Sequence, residues 1–286
     1  MKTRRLISMH KAPRHDVAHL YTRMPFSIGN TMTLDPFLLL AHHGPQTFPP
    51  DNDGLPFDAH PHRGFETITF IIDGELLHRD SGGHENVVSA GGVQWMTAGA
   101  GVVHEELATD RFHDAGGNIE ILQLWMNLPA TLKMTPARYT GVAADQLSSV
   151  ALSDDGSVAQ IVSGDFLGMR GPIDSLTDAV LATISLKAGA SSSLPAPSGR
   201  TVLFYTVGGE VVVGQVAIPP GHLVLFDPMG EGVELTACGD ALILFGHAEP
   251  IGGPVVAHGP FIMNTQDQIR QAYADYREGR FATHTA

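Results

Sequence analysis

The chain has 286 residues, 43% of them hydrophobic and 16% charged, with a formal net charge of −13. That length suits two domains of about 140 residues better than one core. The acidic balance argues against affinity built on neutralised phosphates, so no direct nucleic-acid binding is expected. The single cysteine, Cys238, cannot close an intrachain disulfide. The N-terminal stretch lacks the apolar core of a secretory signal. No run reaches the roughly 18 apolar residues of a membrane helix. The expectation is a cytoplasmic protein with no membrane partner. Histidine is the anomaly: eleven of the fifteen precede residue 120, and imidazole is the commonest protein metal ligand.

From the N-terminus onward, short alternating β-branched segments punctuated by Gly and Pro predict strands at 66–72, 75–79, 92–96, 102–107 and 119–127. A second series is predicted at 180–186, 201–206, 210–216, 222–226 and 241–245. Asp73-Gly74 and Gly208-Gly209 sit where two-residue hairpin turns belong. Strand density of this kind predicts barrels or sandwiches. One helix is predicted, at about 265–278. Thr265 caps it with Gln268 as capping-box partner, and Ile269, Ala272, Tyr273 and Tyr276 form its apolar stripe. Gly279 stands where it should end.

The halves repeat. His60-Pro61-His62-Arg63-Gly64 precedes a strand and Gly74-Glu75; Pro195-Ala196-Pro197-Ser198-Gly199 precedes a strand and Gly209-Glu210 at the same distances. Duplicated β-domains follow. The Pro- and Gly-containing stretch from Leu128 to Ser148 is the candidate linker, and the division is placed at 1–135 and 136–286, the second part ending in the helix.

Two pieces of the first half carry chemistry. In a strand, residues i and i+2 share a face, so His60 pairs with His62, and His104 with Glu106. Together they could offer three imidazoles and a carboxylate to one interior point, a donor set for Fe, Mn, Co, Ni or Zn. Alternation turns Glu105 away. Glu66 shares the parity of His60 and His62, so it stays open as a ligand if one unbroken strand runs from 60 to 66. In the second half, Pro195 and Pro197 replace the histidine pair, and the repeat places Glu234 and Thr236 at the positions of His104 and Glu106. One metal per chain is therefore expected. Of the adjacent His42 and His43, at most one can face a pocket. His78 and His84 are expected to be exposed beside the Ser81-Gly82-Gly83 turn. Phe65, Trp95 and Met96 are candidates for an apolar mouth beside the metal.

Four segments are specific enough to name a family. Leu34-Asp35-Pro36-Phe37-Leu38-Leu39-Leu40, His60 through Thr67, Gln94-Trp95-Met96-Thr97-Ala98-Gly99-Ala100-Gly101 and Gly259-Pro260-Phe261-Ile262-Met263-Asn264-Thr265 resemble the signatures of pirins. The likeness runs from about residue 5 to residue 281. It implies an all-β chain of two tandem cupin barrels of jelly-roll type with a C-terminal helix. It also implies one metal, usually iron, held in the N-terminal barrel by His60, His62, His104 and Glu106. Many cupins instead take their carboxylate from the first motif, at the position of Glu66. Ala41 departs from the acidic residue that pirins often carry there. The resemblance further implies a quercetin 2,3-dioxygenase acting on flavonol-like aromatics, with Glu106 as proton acceptor. The alternative it carries is a metal-containing regulatory protein that binds a protein partner without turnover.

Overall fold

The computed structural model describes residues 2–29 and 34–281. Strands dominate, and the chain forms two compact units. The first is built on Phe37–Ala144, with the segment beginning at Arg14 and the tail beginning at Ile251. The second is built on Asp145–Pro250, with the arm that ends at Pro13 and a short segment that ends at Pro36. A single cut at 135/136 therefore does not describe the chain. Arg138–Val142 still pairs with Val93–Thr97 of the first unit, and the C-terminal helix belongs to the first unit, not the second.

The first unit has two large sheets and a two-stranded ribbon of Val256–His258 and Phe261–Met263. Six strands run in the order Arg138–Val142, Val93–Thr97, Phe65–Asp73, Gly117–Asn127, Phe37–Phe48 and Thr22–Phe26. Four run in the order His60–His62, Val102–Leu107, Glu75–Asp80 and Glu85–Ser89. The interior between them is chemically divided. Ile71, Leu76, Val88, Phe112, Ile119 and Ile121 fill one region as a dry cluster. Further along the same strands the inward positions become Thr69 and Gln123, which reach Glu106. The polar site thus occupies positions that alternation would otherwise give to the core.

The second unit repeats the plan with a seven-stranded and a four-stranded sheet. Its interior is apolar, filled by Leu194, Phe204, Val211, Val233, Leu235, Ile243 and Phe245 among others. The strand expected at 210–216 is a hairpin, Val211–Val213 and Val216–Ile218. It turns at Gly214, whose φ of +63° suits glycine. The long strand Phe37–Phe48 and the short helix Asp110–Ala115 are not predicted. The first is apolar at consecutive positions, as a strand buried on both faces must be, so it lacks alternation.

The C-terminal helix spans Gln266–Arg277 with the capping box of Thr265 and Gln268 in place. Ile269 and Ala272 are buried with Phe261, Met263 and Phe281, whereas Tyr276 is exposed.

Lys133 ties this unit together internally. Its buried ammonium donates to the carbonyls of Gly64 (2.8 Å) and Ile262 (3.1 Å) and to Asn127 Oδ1 (2.6 Å). Burial pushes its pKa down from 10.5 to about 7. The folded chain then releases this proton at lower pH than the unfolded chain, so stability rises with pH between about 7 and 10.5. Lys133→Met keeps the stem but removes every N–H donor from these acceptors, and is expected to lower stability by about 2–4 kcal/mol at pH 9. Urea titrations of both proteins at pH 6 and pH 9 check this. The gap between them should widen at the higher pH, and a gap that narrows would contradict the assignment.

Candidate metal centre

The strands His60–His62 and Val102–Leu107 pair antiparallel, with His60 opposite His104 and His62 opposite Val102. Alternation then brings three imidazoles to one interior face. Ring centroids lie 4.8 Å apart for His60 and His62, 4.4 Å for His60 and His104, and 5.0 Å for His62 and His104. One nitrogen from each lies within 4.8 Å of the other two, the one such group of metal-ligating side chains among the described residues.

His62 and His104 are buried, 3% and 2% exposed. Desolvation, followed by the neighbouring His60, pushes the pKa of His62 down to about 3. Desolvation, followed by the imidazoles of His62, His60 and His78, holds His104 well below the ordinary range. Both rings are therefore neutral at physiological pH and present lone pairs. The Nδ1–H of His60 donates to the carbonyl of Asp58 (2.7 Å), and that of His62 to the carbonyl of Pro260 (3.3 Å). Such bonds fix the tautomer that leaves Nε2 as the ligand atom. Both ring nitrogens of His104 are buried with no protein partner, a cost of about 1–3 kcal/mol for each group unless a ligand satisfies it. A divalent transition metal fits this donor set, because neutral imidazoles are its preferred nitrogen ligands.

Among the carboxylates, the structure separates three cases. Glu106 is buried on the inner face but lies outside the three-histidine group. Its Oε1 accepts from Gln94 Nε2 (2.5 Å) and Thr69 Oγ1 (3.1 Å), and its Oε2 from Gln123 Nε2 (2.6 Å). Glu105 points outward toward Arg79, 3.8 Å away. Glu66 lies on the opposite face from the site. The chain ends one strand at His62 and begins another, in the other sheet, at Phe65. Gly64 makes this break with φ +88°, and a side chain there would collide with the carbonyl oxygen of Ile262. Parity counted through the break is lost. Oε1 of Glu66 accepts from Trp95 Nε1 (3.0 Å) and Thr97 Oγ1 (2.7 Å), and burial raises its pKa.

Around the histidines the wall is aromatic. Phe65 and Trp125 pack on His62, with centroids at 5.0 and 5.1 Å. Trp95 does not, since it turns with Glu66 to the other face, and Met96 packs with Ala98, Val102 and Tyr139. His78 is not exposed: it shares the inward face of its strand with Leu76, is 1% exposed, and stacks on Tyr139 at 3.9 Å. His84 is 46% exposed at the side chain and bonds Asp80. His42 is buried against Glu120 (2.8 Å), and His43 against Thr22 Oγ1 (2.7 Å). Trp125 and Gln123 have no part in the sequence reading, and Gln94 enters it only within a family signature, with no role at the site. Their signal was a glutamine or tryptophan in phase with the inward positions of strands that are otherwise apolar.

Among its described residues the second unit holds no counterpart of the site. Glu234 and Thr236 are exposed, and the inward positions of that strand are Val233, Leu235 and Ala237. The repeat is thus out of phase here by one residue, which reverses every side chain. One tightly held metal per chain is expected by elemental analysis. His62→Ala should lose most of it while keeping a native circular dichroism spectrum, because the apolar cluster around Ile71 does not use the site. Glu66→Gln should keep the metal; loss there together with retention in His62→Ala would refute the assignment.

The family model for pirin matches residues 17–126, and that for the pirin C-terminal cupin domain matches residues 181–282. A Pseudomonas aeruginosa protein named "Putative quercetin 2,3-dioxygenase" is 38% identical over 250 residues, 87% of either chain. Human pirin is 34% identical over 258 residues, covering 86% of this chain and 83% of its own. A quercetin 2,3-dioxygenase from Acinetobacter baumannii, solved by crystallography, superposes with a TM-score of 0.93 at 33% identity over 98% of both chains. With both cupin domains matched in order and the relatives covered nearly end to end, the chain belongs to the pirin family.

Proposed function

We propose that the chain is a metal-dependent dioxygenase of the quercetin 2,3-dioxygenase type, acting on flavonol-like aromatics with iron(II) held by His60, His62, His104 and Glu106. The observation that carries this is the set of three convergent imidazoles, two of them fully buried, beside the aromatic wall of Phe65 and Trp125. The names of the Pseudomonas and Acinetobacter relatives supply the substrate class. The lone cysteine supports a cytoplasmic site of action.

When bound, the metal supplies Lewis-acid polarisation of the substrate oxygens and redox contact with dioxygen. The protein does the remainder. Phe65 and Trp125 offer flat apolar faces on which aromatic rings can stack. Thr69, Gln94 and Gln123 fix both oxygens of Glu106, an arrangement suited to a ligating carboxylate, since such ligands are themselves hydrogen-bonded. In this reading Glu106 also accepts the proton of a substrate hydroxyl. In the overall reaction one flavonol and one dioxygen give a ring-opened ester and carbon monoxide.

Iron-reconstituted protein should consume quercetin and dioxygen in equal amounts and release carbon monoxide. Glu106→Gln removes charge and basicity at similar shape, and is expected to lower kcat by about 10²-fold or more while changing flavonol affinity much less. That comparison is made on variant protein whose metal content has been measured. Wild-type turnover no faster than that of free iron would contradict the enzyme reading and favour a metal-containing partner-binding protein.

A further inference from the structure

The metal-ligating strand does not stand alone. Residues 258–281, about 200 positions further along the chain, brace it at several points. The carbonyl of Pro260 accepts from His62 Nδ1 (3.3 Å), and the amide of Ile262 donates to the carbonyl of Arg63 (3.0 Å). Arg63 is 4% exposed. Its Nε donates to the carbonyl of Ala100 (2.6 Å), and its guanidinium lies 4.5 Å over the ring of Phe281. Its NH1 donates to Asp275 Oδ2 (2.7 Å) on the C-terminal helix. Asp275 Oδ1 in turn accepts from Gln271 (2.8 Å) and Arg280 (3.1 Å). Val103, beside the ligand His104, packs on the apolar cluster of the same tail.

We propose that Asp275 is a positioning residue for the metal site: it fixes Arg63, whose main chain holds the adjacent His62 against the carbonyl of Pro260. The inference rests on reading the three histidines as metal ligands. A buried guanidinium needs a partner charge, and truncating one member of a buried pair strands the other. Without Asp275, Arg63 must move toward solvent, and the turn at Gly64 that sets the direction of His62 moves with it. The surface face of the helix does no such work, so the effect belongs to this pair and not to helix stability in general.

Cobalt(II) binding is the test, read by competition with a chelator and by the visible bands of the bound ion. Asp275→Asn is expected to weaken binding by about 10- to 100-fold and to shift those bands, the range typical of losing a partner that orients a ligand. Asp275→Glu should recover affinity to within about threefold of wild type. Arg270→Gly loosens the same helix from its exposed face, away from Arg63 and the buried cluster, and should leave cobalt affinity and spectrum unchanged. Equal losses in Asp275→Asn and Arg270→Gly, or no loss in Asp275→Asn, would overturn the proposal. A measurement on the wild type needs no substitution. Linkage is reciprocal, so adding cobalt(II) must slow amide exchange across residues 259–281, and unchanged exchange there would also overturn it. Failure of the wild type to bind cobalt(II) at all would refute the metal site itself, whereas normal wild-type binding with an unaffected Asp275→Asn would refute this inference alone.

Discussion

Three imidazoles meeting in the interior of the first barrel impose the constraint that the surrounding structure answers. Burial keeps His62 and His104 neutral and leaves both nitrogens of His104 without a protein partner. Polar groups left this way oppose folding unless a ligand satisfies them. Around them the barrel commits inward positions to Thr69, Gln94, Gln123 and Glu106 instead of aliphatic residues. The dry cluster of Ile71, Leu76, Ile119 and Ile121 supplies the apolar burial this unit needs. Site and core thus share the same strands but not the same positions.

Alternation made much of the site readable, and its failures have physical causes. His60 and His62 share a face because they lie two apart in one strand, where parity counts correctly, and His104 joins them because it stands opposite His60 in the paired strand. Parity fails at Glu66, where the left-handed Gly64 ends one strand and starts another in the facing sheet. It fails again at Glu234 and Thr236, where the repeat slips by one residue. His78 departs from its expected exposure because Ser81, Gly82 and Gly83 advertise a turn, while its own strand carries it inward against Tyr139. The strand Phe37–Phe48 is not legible in the sequence because burial on both faces erases the two-residue period. Gln94, Gln123 and Trp125 belong to apolar strands, and only the three-dimensional register shows which of their neighbours face the site.

The two units illustrate what duplication leaves free. Both keep a larger sheet opposed to a four-stranded one, and both keep left-handed glycines at Gly64 and Gly199, and at Gly74 and Gly209. Turn chemistry and strand order are requirements of the architecture itself. The interior is not so constrained. Where the first unit carries histidines and glutamines, the second carries Leu194, Val233 and Leu235, and an apolar interior of that kind is stable without any ligand. Metal chemistry is therefore a property of one set of inward side chains and not of the fold.

X-ray absorption at the iron edge of reconstituted protein addresses the central assignment most directly, because imidazole rings give multiple-scattering features that other ligands lack. Three imidazole nitrogens and at least one oxygen at distances near 2.0–2.2 Å are expected, the range for such ligands on divalent transition metals of this size. A spectrum fitted by one imidazole or none would contradict a site built on His60, His62 and His104.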